Sequence, residues 1–424
     1  MHDVGTSPQS AGLQHVVFLE RAVQDPDAMP EGFGKAAFLV LRLVDLVGAP
    51  LPGRPATRNE MFGYQAAATS RYCTDNLDAG PSTELLLDLV RSATYAHRRQ
   101  DPGLVAPAMI ALAAELDDRA CYEETLDVLR TLERVARSEL RSADAITTAL
   151  RIARVERELG RYDLADAAYT RAGELGVVAG NIDATLRSRL GRAKVLHMRG
   201  NLVEAVHLAD SVLAEARNAG EQRTEAEAEH CLGVLLGIRG ELHESVLHFW
   251  RAFQLYRDDR EAMFAMNDLG VSLSRLGATV DAERALGYVV SQSSSRSTVQ
   301  NAMIELMHCA SSSRNRVGFE RYRTLCNKEQ PQMSPNILAD YHLRLGIGLA
   351  RFGNFDRADA ELSESLQVAK ANQLHEFEFR IERIRTGLRS CEALDVVERD
   401  QAAKPPAPDS ELAAVCAALT SLTP

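Results

Sequence analysis

Paired cysteines are missing. Cys73, Cys121, Cys231, Cys309, Cys326, Cys391 and Cys416 stand far apart, their number is odd, and no CxxC occurs. A disulfide framework or a zinc ribbon needs paired spacing, so these read as buried thiols in a reducing compartment. Positive charge is in deficit: 48 Lys and Arg against 59 Asp and Glu give a net charge of −11. That balance argues against general affinity for nucleic acid or an anionic membrane, both of which need clustered cations. Long apolar runs are absent too. The most apolar stretch, AAFLVLRLVDLV at 36–47, is interrupted by Arg42 and Asp45, whereas a membrane span needs about 20 mostly apolar residues. The opening MHDVGTSPQS has neither the positive nor the apolar part of a secretion signal. A cytoplasmic protein is expected.

Catalytic motifs are equally scarce. There is no GxxxxGK[ST] loop, no GxGxxG after a strand and no GxSxG elbow. His243, Glu244 and His248 invite a zinc reading, but the pattern is HExxxH where the zinc motif is HExxH. Five residues apart on a helix, the two histidines diverge by about 140°. Glu225, Glu227 and Glu229 open a helix, where negative charge suits the dipole. No catalytic residue, metal ligand or cofactor is expected, and the chain reads as a non-enzyme.

What is present is repetition. The segments ELGRYDLADAAY, HMRGNLVEAVHL, GIRGELHESVLHF, SRLGATVDAERAL and ARFGNFDRADAEL place Gly160, Gly200, Gly240, Gly277 and Gly353 at turns between two helical patterns. Two residues after each glycine stands Tyr162, Leu202, Leu242, Thr279 or Phe355, and five after it Ala165, Ala205, Ser245, Ala282 or Ala358. A first unit has Ala120 at the turn, and a degenerate sixth lies near SSSRNRVGFERY. Seven units of 37 to 40 residues give a solenoid. Apolar positions recur at helical spacing on both sides of each turn, as in Leu232, Leu235, Leu236 and then Leu242, Val246, Phe249. Glycine at the turn accepts the left-handed conformation. The small residue seven before it (Ala113, Ala153, Ala193, Gly233, Gly270, Gly346) lets the paired helices approach. The bulky residue two after it should plug the gap to the next unit, and Trp250 should lie in the core between repeats.

This pattern resembles the tetratricopeptide repeat family, with the fullest copy in Gly233, Gly240, Leu242, Ser245, Phe249 and Ala252. The resemblance implies an all-α fold, a right-handed superhelical solenoid of antiparallel helix pairs with an N-terminal helical cap. The chain departs from the family in its long period, in lacking the consensus tryptophan, and in lacking a unit-ending proline. The resemblance also implies a peptide- or protein-binding scaffold or regulatory adaptor that works through its concave groove. The alternative is a sensor that switches when it binds a small peptide or other ligand. Sensors of this family usually carry a DNA-binding helix-turn-helix, but the helices at 13–47 lack a basic recognition helix.

The organisation expected is a disordered tail at 1–12 and a helical region at 13–100, read alternatively as diverged repeats. A solenoid at 101–372, a closing helix at 373–398, a Pro/Ala linker at 399–409 and a short amphipathic helix at 410–424 follow. Within the N-terminal region, helices are expected at 13–24, 33–47, 58–75 and 82–99, the last capped by Ser82. Ser334 before Pro335 marks another helix start. In the last helix Leu412, Val415, Cys416 and Leu419 share one face. The segment reads either as a frayed tail or as a helix that docks on the solenoid or on a partner, and so short a helix is ordered only if docked. First helices of the solenoid are the expected seat, with self-association through this helix as a further route.

On the groove-lining faces of the first helices the spacing places Arg154 and Arg157, then Arg187, Lys194 and His197, then His230, then Asn267. Four cations on adjacent rungs of an acidic chain suit an acidic peptide segment or another protein's carboxylates. The family's carboxylate clamp uses Lys and Asn in an order not found here. No direct nucleic-acid or membrane partner is expected.

Overall fold

The computed structural model describes residues 13–25, 29–48, 55–137, 139–372, 374–389 and 410–422. The expectations for the tail at 1–12 and the linker at 399–409 fall outside these residues, as does the part of the closing helix beyond 389. Among the described residues every regular element is a helix.

Four helices come first: α1 (Val16–Gln24), α2 (Phe33–Gly48), α3 (Pro55–Asn76) and α4 (Pro81–Arg99). Antiparallel pairs follow, α5 (Ala106–Asp118) with α6 (Tyr122–Val135) and α7 (Ser142–Glu158) with α8 (Tyr162–Val178), and then in chain order come α9 (Ile182–Met198) and α10 (Leu202–Ala219). Next are α11 (Gln222–Arg239) with α12 (Leu242–Leu255), α13 (Asp259–Leu276) with α14 (Thr279–Gln292), α15 (Arg296–Ser312) with α16 (Arg316–Glu329), and α17 (Pro335–Arg351) with α18 (Phe355–Ala371). Among the described residues two further helices follow, α19 (His375–Arg389) and α20 (Ser410–Ser421). The chain packs as two units, Met1–Arg199 and Gly200–Pro424.

Backbone handedness fixes the repeat. Ala120, Gly160, Gly200, Gly240, Gly277, Arg314 and Gly353 all adopt positive φ at the turn inside a repeat. The degenerate sixth unit therefore turns on Arg314. The 6→1 hydrogen bond of a Schellman cap closes all of these turns except the one at Gly200, as in Glu241 N to Leu236 O at 2.9 Å and Asn315 N to Ala310 O at 2.8 Å. Gly180 and Gly220, also at positive φ, make the turns between successive pairs. The period shortens beyond Gly240 because α12, α14 and α16 have 14 residues each, where α8 has 17 and α10 has 18. After α12 and α14 the chain leaves in extended backbone at Tyr256 and Ser293 instead of turning on glycine.

Small residues set the distance within a pair. A Cβ on Gly233 would stand 2.7 Å from Phe249, and one on Gly270 2.6 Å from Leu286. Thr125, Ala165, Ala205, Ser245, Ala282 and Ala358, five after each turn, are fully buried. The sixth unit has Phe319 there, and its ring is accepted because Gly348 on α17 presents no side chain. Leu242 is buried as a plug should be. Phe355 is 61% exposed, because only the single helix α19 follows it among the described residues.

In the N-terminal unit α1, α2 and α4 share one core with the first pair, through Phe18, Val40, Leu41, Leu86, Leu89, Met109 and Leu129. Helix α4 starts at Pro81 with Gly80 at its N-cap, two residues earlier than a Ser82 cap would give, because proline is suited to the first helical position. Ser334 caps α17 with Pro335 following, as the sequence implies. In the C-terminal unit α20 does dock, but on the second helices α12 and α14. There Val415 and Leu419 join the core that Val246, Phe249, Leu286 and Val289 of those two helices build.

Candidate functional site

Tyr169, on α8, organises the cationic residues of the N-terminal unit. Its ring covers Gly191 of α9, which has room for no side chain, and it is 4% exposed. Arg157 of α7 donates from Nη1 to its hydroxyl at 3.3 Å and from Nη2 to Glu158 at 2.6 Å. Burial pushes the tyrosine pKa up, while the fields of Arg157, Arg154 and Arg187 pull it down. Arg157 alone is bonded to that hydroxyl, while Arg154 of α7 and Arg187 of α9 are near enough for their charges to act on it.

Their roles differ. Arg154 donates to Asp117 of α5 at 2.8 Å, with Arg151 at 3.8 Å from the same oxygen. Burial raises the Asp117 pKa, and the two arginines oppose it. Arg154 is therefore a strut between the first two pairs. Arg187 stands 3.8 Å from Asp183, one turn away on its own helix. Lys194 follows at seven residues, on the same side of α9, and is half-buried, as is His197 in the last turn.

His230 and Asn267 belong to the C-terminal unit and meet at Asp268. His230 Nε2 is 2.9 Å from Asp268 Oδ2 and its Nδ1 is 3.2 Å from the Tyr256 hydroxyl. Asn267 donates to Asp268 Oδ1 at 3.4 Å and is only 7% exposed. The exposed groove position expected for Asn267 is thus a buried amide: α13 turns that side toward neighbouring helices.

The glutamates that open α11 are ion-paired. Glu225 meets Arg217 at 3.1 Å and Glu227 meets Arg223 at 3.2 Å. Glu229 is fully buried between Arg217 and His248, whose Nδ1 lies 2.5 Å from it. His248 is thus engaged in packing α12 against α11. Trp250, half-buried, leans on Phe253 with ring centroids 5.5 Å apart and joins the core of the fourth and fifth repeats. Five of the six described cysteines are buried, and burial pushes Cys309 and Cys326 up to about 12. Cys391 lies outside the described residues. Among the described residues no group of three His, Cys, Asp or Glu is arranged to hold a metal ion, and no helix is long and apolar enough to cross a membrane.

One charged cluster escaped sequence reasoning. Arg344 and Arg351 of α17 both donate toward Nδ1 of His308 on α15, at 3.3 and 3.4 Å, and Arg351 also donates to Ser311 at 2.8 Å. Burial, then Arg344, Arg351 and Arg380, hold the His308 pKa well below the ordinary value, so the ring is neutral and accepts. His308 stands six residues before the turn at Arg314, the register of Arg154 and Lys194 before theirs. Arginine in place of glycine at that turn hid the register.

This arrangement of helix pairs defines the class: a tetratricopeptide-like helical solenoid. No family model matches the chain, and no curated protein matches it in sequence. Among solved structures it is similar to a Rap protein complexed with the competence and sporulation factor, at 13% identity and a TM-score of 0.52, covering 81% of this chain and 99% of that one. The apo quorum sensor NprR from B. thuringiensis is similar at 13% identity and 0.51, covering 82% and 92%. The Rap conjugation gene regulator of plasmid pLS20, in complex with a Phr peptide, is similar at 11% and 0.50, covering 80% and 97%. At these identities the likeness is one of fold.

Proposed function

We propose that the protein is a peptide-binding regulator that takes an acidic peptide, or an acidic segment of a partner protein, on the first-helix face of its N-terminal unit and does no chemistry itself. The observation that supports this reading is a concentration of positive charge beside Tyr169, with Arg157 bonded to its hydroxyl, the charges of Arg154 and Arg187 acting on it, and Lys194 seven residues after Arg187 on the same side of α9. Arg154 holds the rungs together. Arg187 and Lys194 are the residues that meet the ligand. Guanidinium and ammonium groups set on rigid, neighbouring helices keep their positions, so little order is lost when a carboxylate binds. The sensor reading is supported by the solved relatives in fold, two of which hold a peptide or factor and one of which is a quorum sensor. A binding role for the Asp268 group is weaker, since both His230 ring nitrogens are already engaged, by that carboxylate and by the Tyr256 hydroxyl.

The test is affinity selection with an equimolar library of short peptides carrying zero to three Asp or Glu, read by mass spectrometry. Retention should rise with acidic content. Equal retention of neutral and acidic members would sink the reading.

A further inference from the structure

Helix α20 covers a face built by the second helices α12 and α14. Val415 and Leu419 are each 3% exposed there, packed with Val246, Phe249, Leu286 and Val289, and Leu412 and Leu422 lie partly buried beside them. Arg251 of α12 donates to Glu411 at 3.3 Å. Asp281 of α14 is hydrogen-bonded by the Cys416 thiol. The footprint is small. Two side chains are fully covered, one ion pair is exposed, and a helix of 12 residues does not hold its shape alone in water. What keeps α20 seated is its covalent link through residues 390–409, which makes docking intramolecular and gives it a high effective concentration.

We propose that the face between α12 and α14 is a docking site for an amphipathic helix of a partner protein, and that α20 is a built-in occupant which such a helix displaces. The occupant's own chemistry states what the partner presents: an acidic residue in the first turn to meet Arg251, then apolar residues at the spacing of Leu412, Val415, Leu419 and Leu422. A longer helix of that pattern would be better ordered than 12 residues and would extend along the same seam, so it gains contacts that α20 lacks. This face is made of second helices and is separate from the peptide site proposed above, so either reading can fail alone.

The chain contains one tryptophan, Trp250, on α12 beside this face. It reports occupancy directly. In the full chain, Val415→Asp with Leu419→Asp should release the helix, shift Trp250 emission to the red and leave cooperative unfolding in place. A synthetic peptide of residues 408–424 should then reverse the shift in the released chain and bind at least tenfold more weakly to the intact chain. The same peptide carrying Glu411→Lys should bind several-fold more weakly to the released chain, and regain affinity when that chain also carries Arg251→Glu. If the released chain shows no emission change and takes no peptide, the face is not a docking site. If the intact chain is a dimer that becomes a monomer on release, the occupant is a second copy's helix and the partner reading is overturned.

Discussion

The Phe249 ring lies against the backbone of Gly233, so close that a Cβ at 233 would stand 2.7 Å from two ring carbons. The contact sets the separation of α11 and α12. Gly233→Ala therefore forces the ring or the helix to move and should cost about 1–3 kcal/mol by overpacking. Gly240 on the same pair is a useful contrast. It has open space where a Cβ would go but φ of 84°, so Gly240→Ala should cost about 1 kcal/mol through backbone strain alone. Urea denaturation ranks the two.

Ala120 makes the first turn at φ 58° without the benefit of glycine. Ala120→Gly should stabilise by a few tenths to about 1 kcal/mol, the relief of left-handed strain less the added freedom of the unfolded chain. Arg314 sits at φ 59°, but its guanidinium donates to the carbonyl of Arg351. Arg314→Gly should gain less, since it also removes that bond. Melting temperatures of the two variants check the order.

His15 ties α1 to the rest of its unit. Its ring is buried and lies 2.5 Å from Asp127 of α6 and 3.1 Å from Asp45 of α2. Arg134 and Arg42 also reach Asp45, at 2.6 and 3.2 Å. Burial opposes protonation, but the hydrogen bonds to Asp127 and Asp45 outweigh it and raise the His15 pKa to about 8. The folded pKa is above the unfolded one, so this stabilisation is complete below pH about 6.5 and is lost as pH rises through about 8. Between pH 6 and pH 9 the wild type should lose about 1–2 kcal/mol more than His15→Gln does. Equal losses would show that the two carboxylates do not hold a proton on the ring.

Much of the architecture was legible because the repeat is written in residues whose physics is local. Glycine at a left-handed turn, a small residue seven before it and another five after it are demands of backbone geometry and close packing, and they recur in sequence. The turns at Ala120 and Arg314 were found only from the period, because neither residue advertises a left-handed backbone. The candidate site was legible in part. Counting from the glycine put Arg154, Arg157 and Arg187 on one side; of these Arg157 bonds to Tyr169, and the charges of the other two act on it. Spacing along one helix could not reveal that Arg154 is claimed by Asp117, thirty-seven residues earlier, or that Asn267 faces inward, since both depend on the neighbouring pair. The seat of α20 was misjudged for the same reason: its own pattern says only that it is ordered if it docks, and its neighbours on α12 and α14 decide where.

The account rests most heavily on the cations of α9, and one measurement addresses them. Arg187→Glu with Lys194→Glu spares the Arg154–Asp117 strut and changes two half-buried residues of α9. Each contact with a carboxylate is worth a few tenths to about 1 kcal/mol, and reversal adds repulsion, so the pair together should exceed about 1.4 kcal/mol. Calorimetric affinity for the best-retained acidic peptide should therefore fall tenfold or more, with melting temperature unchanged, and the wild-type affinity should weaken as salt rises. Unchanged affinity with unchanged melting would contradict the account.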